Sequence, residues 1–226
     1  LSKTYEAKQF EDGIYKEWEK QKAFTPSDDP KKPGYSIMMP PPNATGTLHL
    51  GHATMLAIED ILVRFKRMQG FDALWLPGTD HAAIATQSVV EKKLQADGIK
   101  HPRKELGREG LLNEIRAFVE DSKATIRNQV RKMGASCDWS RERYTFGDDL
   151  NMAVNELFRM MFEDGLIYRG GRIVNWDPKM QTTVADDEIE YQEEKTSFYT
   201  FQYGPFQIGT SRPETKFGDK YVVMHP

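Results

Sequence analysis

A strand, a helix and a second strand follow one another between residues 35 and 76, and this pattern constrains the fold most. Residues 35–39 form a short apolar run that three prolines end, as expected of a buried strand. A second apolar run covers residues 71–76. The stretch between them has helical periodicity, with Met55, Ile58, Leu62, Phe65 and Met68 as its expected buried stripe. The sequence therefore predicts a parallel crossover within an α/β, doubly wound sheet.

Helices are predicted on both sides of this unit. Phe10, Ile14 and Trp18 recur every four positions among charged residues, which indicates an amphipathic helix over 5–24 lying on a core. Further helices are predicted at 84–97, 109–133 and 149–164. The expected buried residues of the last two are Leu112, Ile115, Val119, Ile126 and Val130, and Val154, Leu157, Phe158 and Met161.

The pattern changes after Tyr168, where short β-prone runs at 198–201 and 206–208 alternate with glycine, proline and acidic residues. We interpret the acidic stretch at 186–194 as a solvated strand or turn rather than a metal site. The predicted domains are an N-terminal helix and linker at 1–34, a nucleotide-binding domain at 35–193, and a β-rich module at 194–226.

Composition limits which cellular compartment and which partners are expected. The single cysteine, Cys137, excludes an internal disulfide and a multi-cysteine zinc site, and we expect it to be a buried core residue. No apolar run approaches the roughly 20 residues that span a bilayer, and no signal-peptide pattern is present. A cytoplasmic protein with no membrane partner is expected. The net charge of -3 gives no overall attraction to nucleic acid.

The loop after the first strand carries the chemistry. A helix that begins at the carboxyl end of a parallel strand offers free N–H groups and a positive dipole end, which bind phosphate. Gly46 and Gly51 let a ligand approach the backbone, while His49 and His52 share one helical face and can stabilise charge on phosphate oxygens. The pair could instead ligate a metal or be satisfied polar residues at a helix start. Because few carboxylates and no cysteine lie nearby to complete a metal site, nucleotide binding is favoured.

The second strand ends in Asp80 and His81, at the same predicted sheet edge as the histidine turn. Asp80 can pair with a substrate ammonium, or it can N-cap the following helix. Trp75 either lines the same pocket or belongs to the core.

Residues 39–53, MPPPNATGTLHLGHA, resemble the first signature of valyl-tRNA synthetases, and residues 77–87, PGTDHAAIATQ, resemble their second block. Isoleucyl relatives carry Trp and Cys in place of Thr79 and His81. Residues 134–142 and 174–176 continue the resemblance. It implies the first half of a Rossmann-like class I aminoacyl-tRNA synthetase catalytic domain, followed by the start of a β-rich inserted editing domain.

The resemblance implies valine–tRNA ligase activity: valine and ATP form valyl-adenylate and pyrophosphate, and the valyl group then passes to tRNA(Val). Valine, ATP and tRNA(Val) are the implied partners of an expected monomer, with Mg²⁺ accompanying the ATP phosphates. His49 and His52 are the implied catalytic residues. The implied ATP-binding residues are Thr45, Gly46, His49, Gly51 and His52, and the implied valine-binding residues are Pro40, Pro41, Asn43 and Asp80.

Residues 209–215, GTSRPET, resemble the first strand of the editing domain, which implies that Arg212, Glu214 and Thr215 act in hydrolysis of mischarged threonyl-tRNA. Alone, this string fits a turn or cap equally well. Asp177 and Met180 stand where many relatives carry cysteines, so neither zinc nor another protein-bound metal is expected.

No loop resembling K-M-S-K-S and no anticodon-binding domain occurs in the chain. The expectation is an N-terminal fragment that does not complete adenylate synthesis alone, because phosphate stabilisers from the missing half are lost. Two other classes stay open from sequence: a nucleotidyltransferase unrelated to translation, and a noncatalytic nucleotide-binding or tRNA-binding module.

Overall fold

The computed structural model describes residues 4–225. Residues 1–3 and 226, which the sequence assigned to the first and last domains, lie outside the described residues. The helices and strands, in chain order, are α1 (Ala7–Lys20), β1 (Gly34–Met38), α2 (Leu50–Met68), β2 (Asp72–Leu76), β3 (Gly78–Thr79), α3 (Ala83–Ala96), α4 (Pro102–Glu105), α5 (Gly107–Lys132), β4 (Arg143–Tyr144), α6 (Asp148–Glu163), β5 (Asn175–Asp177), β6 (Thr182–Val184), β7 (Tyr199–Tyr203) and β8 (Phe206–Thr210).

The predicted parallel crossover is confirmed. Strands β1 and β2 pair in parallel, with Gly34 opposite Asp72 and Met38 opposite Leu76, and α2 connects them. On the other side of β2, the N–H of Asp138 donates to the carbonyl of Trp75 (2.9 Å), and β4 pairs in parallel with β3. The segment 72–80 therefore lies between two parallel neighbours, and the carboxyl ends of adjacent strands open at one edge.

The core of this unit lies against the middle segment of the sheet. Trp75 has 0% exposed surface, and its indole N–H donates to Glu59 Oε2 (2.9 Å). Trp75 is therefore a core residue. The buried residues packed with it are Met39, Leu56, Val63, Ala73, Ile126, Val130, Ala135 and Cys137. The predicted burial of Cys137 is confirmed, and this burial raises the pKa of its thiol to about 12, which keeps the thiol protonated.

The predicted buried stripe of α2 is wrong except at Met55, which is partly buried and packs against the core. Ile58, Leu62, Phe65 and Met68 are exposed, whereas Leu56 and Val63 are buried. The inward face also carries Asp60 and Arg67, whose polar atoms bind Ser136. Polar residues with hydrogen-bond partners replace part of the apolar stripe here, and apolar periodicity cannot detect such a face.

The predicted faces of α1 and α6 also need correction. In α1, Phe10 and Ile14 are about half exposed, and Tyr15 is the buried residue, with its hydroxyl donating to the Ala135 carbonyl (2.6 Å). In α6, Val154, Leu157 and Phe158 are exposed, with Phe158 63% exposed. Both helices form where periodicity predicted them. Trp18 in α1 and Met161 in α6 are partly buried, and Trp18 packs on Tyr15 and Phe24, but the other predicted apolar residues stay exposed. Helix α5 does bury Val119, Ile126 and Val130, as predicted.

The chain divides into two compact units, Leu1–Ile167 and Tyr168–Pro226. The second unit contains two antiparallel hairpins, β5–β6 and β7–β8. The second hairpin agrees with the two β-prone runs, and the acidic stretch begins with the exposed turn Asp186–Glu188. The limit predicted at 193/194 lies inside the second unit and stays a prediction about domains. No helix within residues 4–225 is long and apolar enough to span a membrane.

Candidate functional site

Backbone hydrogen bonds join the two candidate loops side by side. The N–H of Asp80 donates to the Pro42 carbonyl (2.8 Å), and the N–H of Ala44 donates to the Asp80 carbonyl (2.8 Å). Asn43 and Asp80 thereby form a parallel bridge beyond the ends of β1 and β2. The proline-rich turn and Asp80, separated in sequence, thus share one site at the carboxyl edge of the sheet.

The histidine turn begins α2, with His49 at the N-cap. The Nδ1 atom of His49 accepts from the Gly51 N–H (3.1 Å), and the Nδ1 atom of His52 accepts from the His49 N–H (3.2 Å). The two ring centroids lie 4.0 Å apart. This reciprocal arrangement satisfies two backbone donors at the helix start.

The capping bonds determine which nitrogen of each neutral imidazole carries the proton. Because Nδ1 accepts in both rings, the proton of each neutral ring lies on Nε2. Among residues 4–225, neither Nε2 atom has a hydrogen-bond partner. The turn therefore offers two neutral N–H donors beside the positive end of α2, which suits a phosphate. The capping role, an alternative from sequence, is compatible with this use.

Burial and the neighbouring His49 lower the pKa of His52 below its ordinary value of 6.5, desolvation being the larger cause. The neutral form is thus favoured at pH 7, and with it the Nδ1 acceptor that completes the cap.

Gly51 and Gln129 support the turn from two sides. A Cβ atom at position 51 would lie 2.9 Å from Cε1 of His49, closer than such atoms approach. From α5, the Gln129 Oε1 atom accepts from the N–H of Leu48 (2.8 Å), which ties the loop to that helix. Gly46 has a φ of 153°, which favours glycine. The position of His49 therefore depends on the absence of a side chain at 51.

Asp80 does not N-cap α3, because the N-cap residue is Ala82, which has no side-chain cap. The Oδ1 atom of Asp80 instead accepts from the Ala82 N–H (3.1 Å) and from the Thr145 hydroxyl (2.8 Å). Ala82 has a left-handed backbone with a φ of 44°, which costs a residue other than glycine about 1–2 kcal/mol. Strain of this kind concentrates at functional sites. Within the described chain, Oδ2 of Asp80 accepts no hydrogen bond and stays available to a cation.

The remaining predicted site residues are distributed as follows. Pro40, Pro41 and Asn43 are exposed at the loop edge, beside the half-buried Thr45 and Gly46. Arg212, Glu214 and Thr215 belong to the second unit, where Arg212 pairs with Glu214 and the Thr215 hydroxyl donates to the Arg212 carbonyl (2.8 Å). These editing candidates form a local turn, and their functional role stays a prediction.

Three supporting residues escaped the sequence interpretation. Thr145 binds Asp80, Gln129 binds Leu48, and the buried Thr86 donates to the His81 carbonyl (2.6 Å). Thr145 and Gln129 come from segments more than 60 residues further along the chain. Only Thr86, within the block 77–87, lay in a stretch that the resemblance already marked.

Comparison with known proteins identifies the family. Residues 13–214 match the model described as tRNA synthetases class I (I, L, M and V). Among similar proteins, a valine–tRNA ligase of Clostridium acetobutylicum is 47% identical over all of this chain and 26% of its own length. One from Chlamydia muridarum is 45% identical over 99% of this chain and 24% of its own length. The chain spans about a quarter of the length of these relatives.

A solved structure shares the fold. The ternary complex of Agrobacterium radiobacter K84 agnB2 LeuRS, tRNA and LeuAMS matches with a TM-score of 0.67 and 22% identity. The match covers 83% of this chain and 22% of that one. At this identity the likeness supports the fold alone, a parallel α/β domain of the class I type.

Proposed function

We propose a function for this chain from the premise that it belongs to the class I tRNA synthetases of the I, L, M and V group. That function is the binding and activation of valine: ATP and valine form valyl-adenylate, and the valyl group passes to tRNA(Val). One observation carries it above the others. Asp80, whose Oδ2 atom accepts no hydrogen bond from residues 4–225, is hydrogen-bonded through its backbone to the loop that leads into the histidine turn.

The chemistry follows from what each loop offers. The valine carboxylate attacks the α-phosphorus of ATP, the bond to the bridging oxygen of pyrophosphate breaks, and negative charge increases on the phosphate oxygens. The Nε2–H groups of His49 and His52, with the N terminus of α2, stabilise that charge. At the other loop, Asp80 pairs with the valine ammonium. The phosphate of one adenylate thus meets hydrogen-bond donors, and its ammonium group meets a carboxylate.

Mg²⁺ enters the proposal only as a partner of the ATP phosphates. Residues 4–225 include no group of three or more His, Cys, Asp or Glu side chains placed to hold a metal ion. No step of the proposed mechanism is assigned to the ion. The expected absence of zinc, the monomeric state and the cytoplasmic location stay predictions.

We extend the proposal to hydrolytic editing by Arg212, Glu214 and Thr215. An apolar pocket cannot strongly reject an isostere that adds a hydroxyl, and threonine against valine is a known instance of this limit. The protein that contains this chain is expected to deacylate threonyl-tRNA(Val) faster than valyl-tRNA(Val). Equal deacylation of both would contradict editing.

Amino-acid-dependent exchange between ATP and pyrophosphate tests the main proposal. The assay uses the protein that contains this chain, with valine, isoleucine, threonine and leucine as substrates. Valine is expected to give the highest kcat/KM, and the Asp80→Asn substitution is expected to lower the rate with every amino acid. Exchange that valine does not stimulate would favour an unrelated nucleotidyltransferase. Binding of valine and ATP without any exchange would favour a noncatalytic module.

A further inference from the structure

Thr145 contacts both polar residues of the second loop through one hydroxyl. Its Oγ1 atom lies 2.8 Å from Asp80 Oδ1, 2.9 Å from the backbone N of His81 and 2.6 Å from His81 Nδ1. The Asp80 side chain is 36% exposed and the His81 side chain is 34% exposed, so both reach solvent at the site. A single oxygen therefore connects the carboxylate to the imidazole.

Counting protons assigns the direction of each bond. A hydroxyl donates one hydrogen bond and accepts two, whereas an ionised carboxylate only accepts. The Thr145 proton therefore goes to Asp80, and its two lone pairs accept the backbone N–H and the ring N–H of His81. Asp80 Oδ1 lies 3.3 Å from the same ring nitrogen, and this second acceptor also favours a proton on Nδ1. A neutral His81 consequently carries its proton on Nδ1 and a lone pair on Nε2.

We propose that Thr145 is a positioning residue, which orients the Asp80 carboxylate and selects the Nδ1–H tautomer of His81 so that the second loop presents only acceptors to an α-ammonium group. The available atoms are Asp80 Oδ2 and His81 Nε2, neither of which has a hydrogen-bond partner among residues 4–225. The histidine turn carries the opposite tautomer, with Nε2–H donors. This inference rests on the proposed function, because it assigns the ammonium of the amino-acid substrate to these acceptors.

Nitrogen NMR of the imidazoles tests the tautomer without any substrate. The 226-residue chain, labelled with ¹⁵N at its 5 histidines, is measured well above the ordinary imidazole pKa of about 6.5. His81→Asn assigns the His81 signals by their loss. We expect a protonated, pyrrole-type Nδ1 and an unprotonated, pyridine-type Nε2 in the wild type and in Thr145→Ser. Valine has no hydroxyl group and can neither donate nor accept these hydrogen bonds. In Thr145→Val, Nε2 is therefore expected to gain the proton in part or fully.

Binding measurements test the consequence for the substrate. Loss of a hydrogen bond to a charged group predicts valine binding about 10-fold to 100-fold weaker in Thr145→Val, with ATP affinity unchanged and valine affinity restored in Thr145→Ser. Thr125→Val, the same change at an exposed position of α5, is expected to alter neither affinity.

An Nε2–H tautomer in the wild type, or unchanged valine affinity in Thr145→Val, would overturn the inference. If the wild type shows the Nδ1–H tautomer but binds no valine, the proposed substrate fails while the assignment of Thr145 to the tautomer stands. Equal weakening of ATP and valine binding in Thr145→Val would assign Thr145 a general structural role and contradict a positioning one.

Discussion

Gly51 determines the position of the His49 ring. The Gly51→Ala substitution places a methyl group 2.9 Å from Cε1 of His49, so the ring must rotate away from the Gly51 N–H. The loss of one hydrogen bond to a charged phosphate, roughly 1.5 kcal/mol, predicts ATP binding weaker by about 10-fold. Calorimetric titration with ATP measures this change.

The matched control is Gly13→Ala, an alanine substitution in α1 with no atom within 4 Å of the new Cβ. It is expected to leave ATP affinity unchanged and to raise the free energy of unfolding by about 0.5–1 kcal/mol. Unchanged ATP affinity in Gly51→Ala would show that the His49 ring is not a phosphate donor.

His52 is expected to titrate below its ordinary pKa of 6.5, because burial disfavours its charged form and His49 adds to this. A depressed pKa in the folded state means that the stability contribution of His52 is present above pH 6.5 and is lost as the pH falls through the folded pKa. Proton NMR of the His52 ring, assigned with His52→Ala, gives the midpoint. A midpoint at or above 6.5 would contradict a partly buried His52 ring that accepts the capping hydrogen bond.

Local sequence supports some of these residues and not others. The histidine pair, Gly51 and Asp80 lie in short motifs beside strand ends, where parallel topology brings them together. Thr145 and Gln129 have no local signal, because their partners lie more than 60 residues away and a threonine or glutamine fits many surfaces. Their role follows only from the pairing of β3 with β4 and the packing of α5.

At the scale of elements, α2 is fastened to the segment after α5 by charged side chains. Arg67 donates to the carbonyl and hydroxyl of Ser136 (2.9 and 2.6 Å), and Asp60 accepts from the Ser136 N–H (2.9 Å). Arg64 donates to the Gly134 carbonyl (2.7 Å). These bonds hold the segment after α5 beside β2, and that segment leads on to β4 and Thr145.

Arg67→Lys is therefore expected to lower the free energy of unfolding by about 1.5–3 kcal/mol, because lysine cannot reproduce the planar set of donors. Denaturant unfolding measures the change. Arg108→Lys, an exposed position on α5, serves as the control and is expected to have an effect within about 0.5 kcal/mol. Equal stability of the two variants would show that the polar face of α2 does not hold this segment.

Periodicity predicted the presence of these helices better than their buried faces. In α2 the spacing of apolar residues selected Ile58 and Leu62, which are exposed, because the inward face combines Leu56 and Val63 with polar groups that have partners. In α6 a regular apolar face is present, but the described chain leaves it exposed. The longer strands β1, β2, β7 and β8 were easier to predict, since prolines and glycines bound their apolar runs. Strands β3 to β6 were not predicted, because runs of two or three residues show no alternation.

At the scale of the whole molecule, the two proposed activities belong to different compact units. Every residue assigned to adenylate formation lies in Leu1–Ile167, and every residue assigned to editing lies in Tyr168–Pro226. Within the first unit, donors at the histidine turn and acceptors at Asp80 and His81 form two ends of one site. A net charge of -3 does not describe this local division, which is why composition gave no indication of the ligand.

The central claim is that these two ends bind a single valyl-adenylate. Its most direct test is calorimetric titration of the chain with a nonhydrolysable valyl-adenylate analogue, compared with valine and ATP separately. The account predicts that the analogue binds more tightly than either part, and that His52→Ala and Asp80→Asn each weaken the analogue by about 10-fold or more. His52→Ala should also weaken ATP alone, and Asp80→Asn should also weaken valine alone. Analogue affinity that neither substitution changes would contradict the claim.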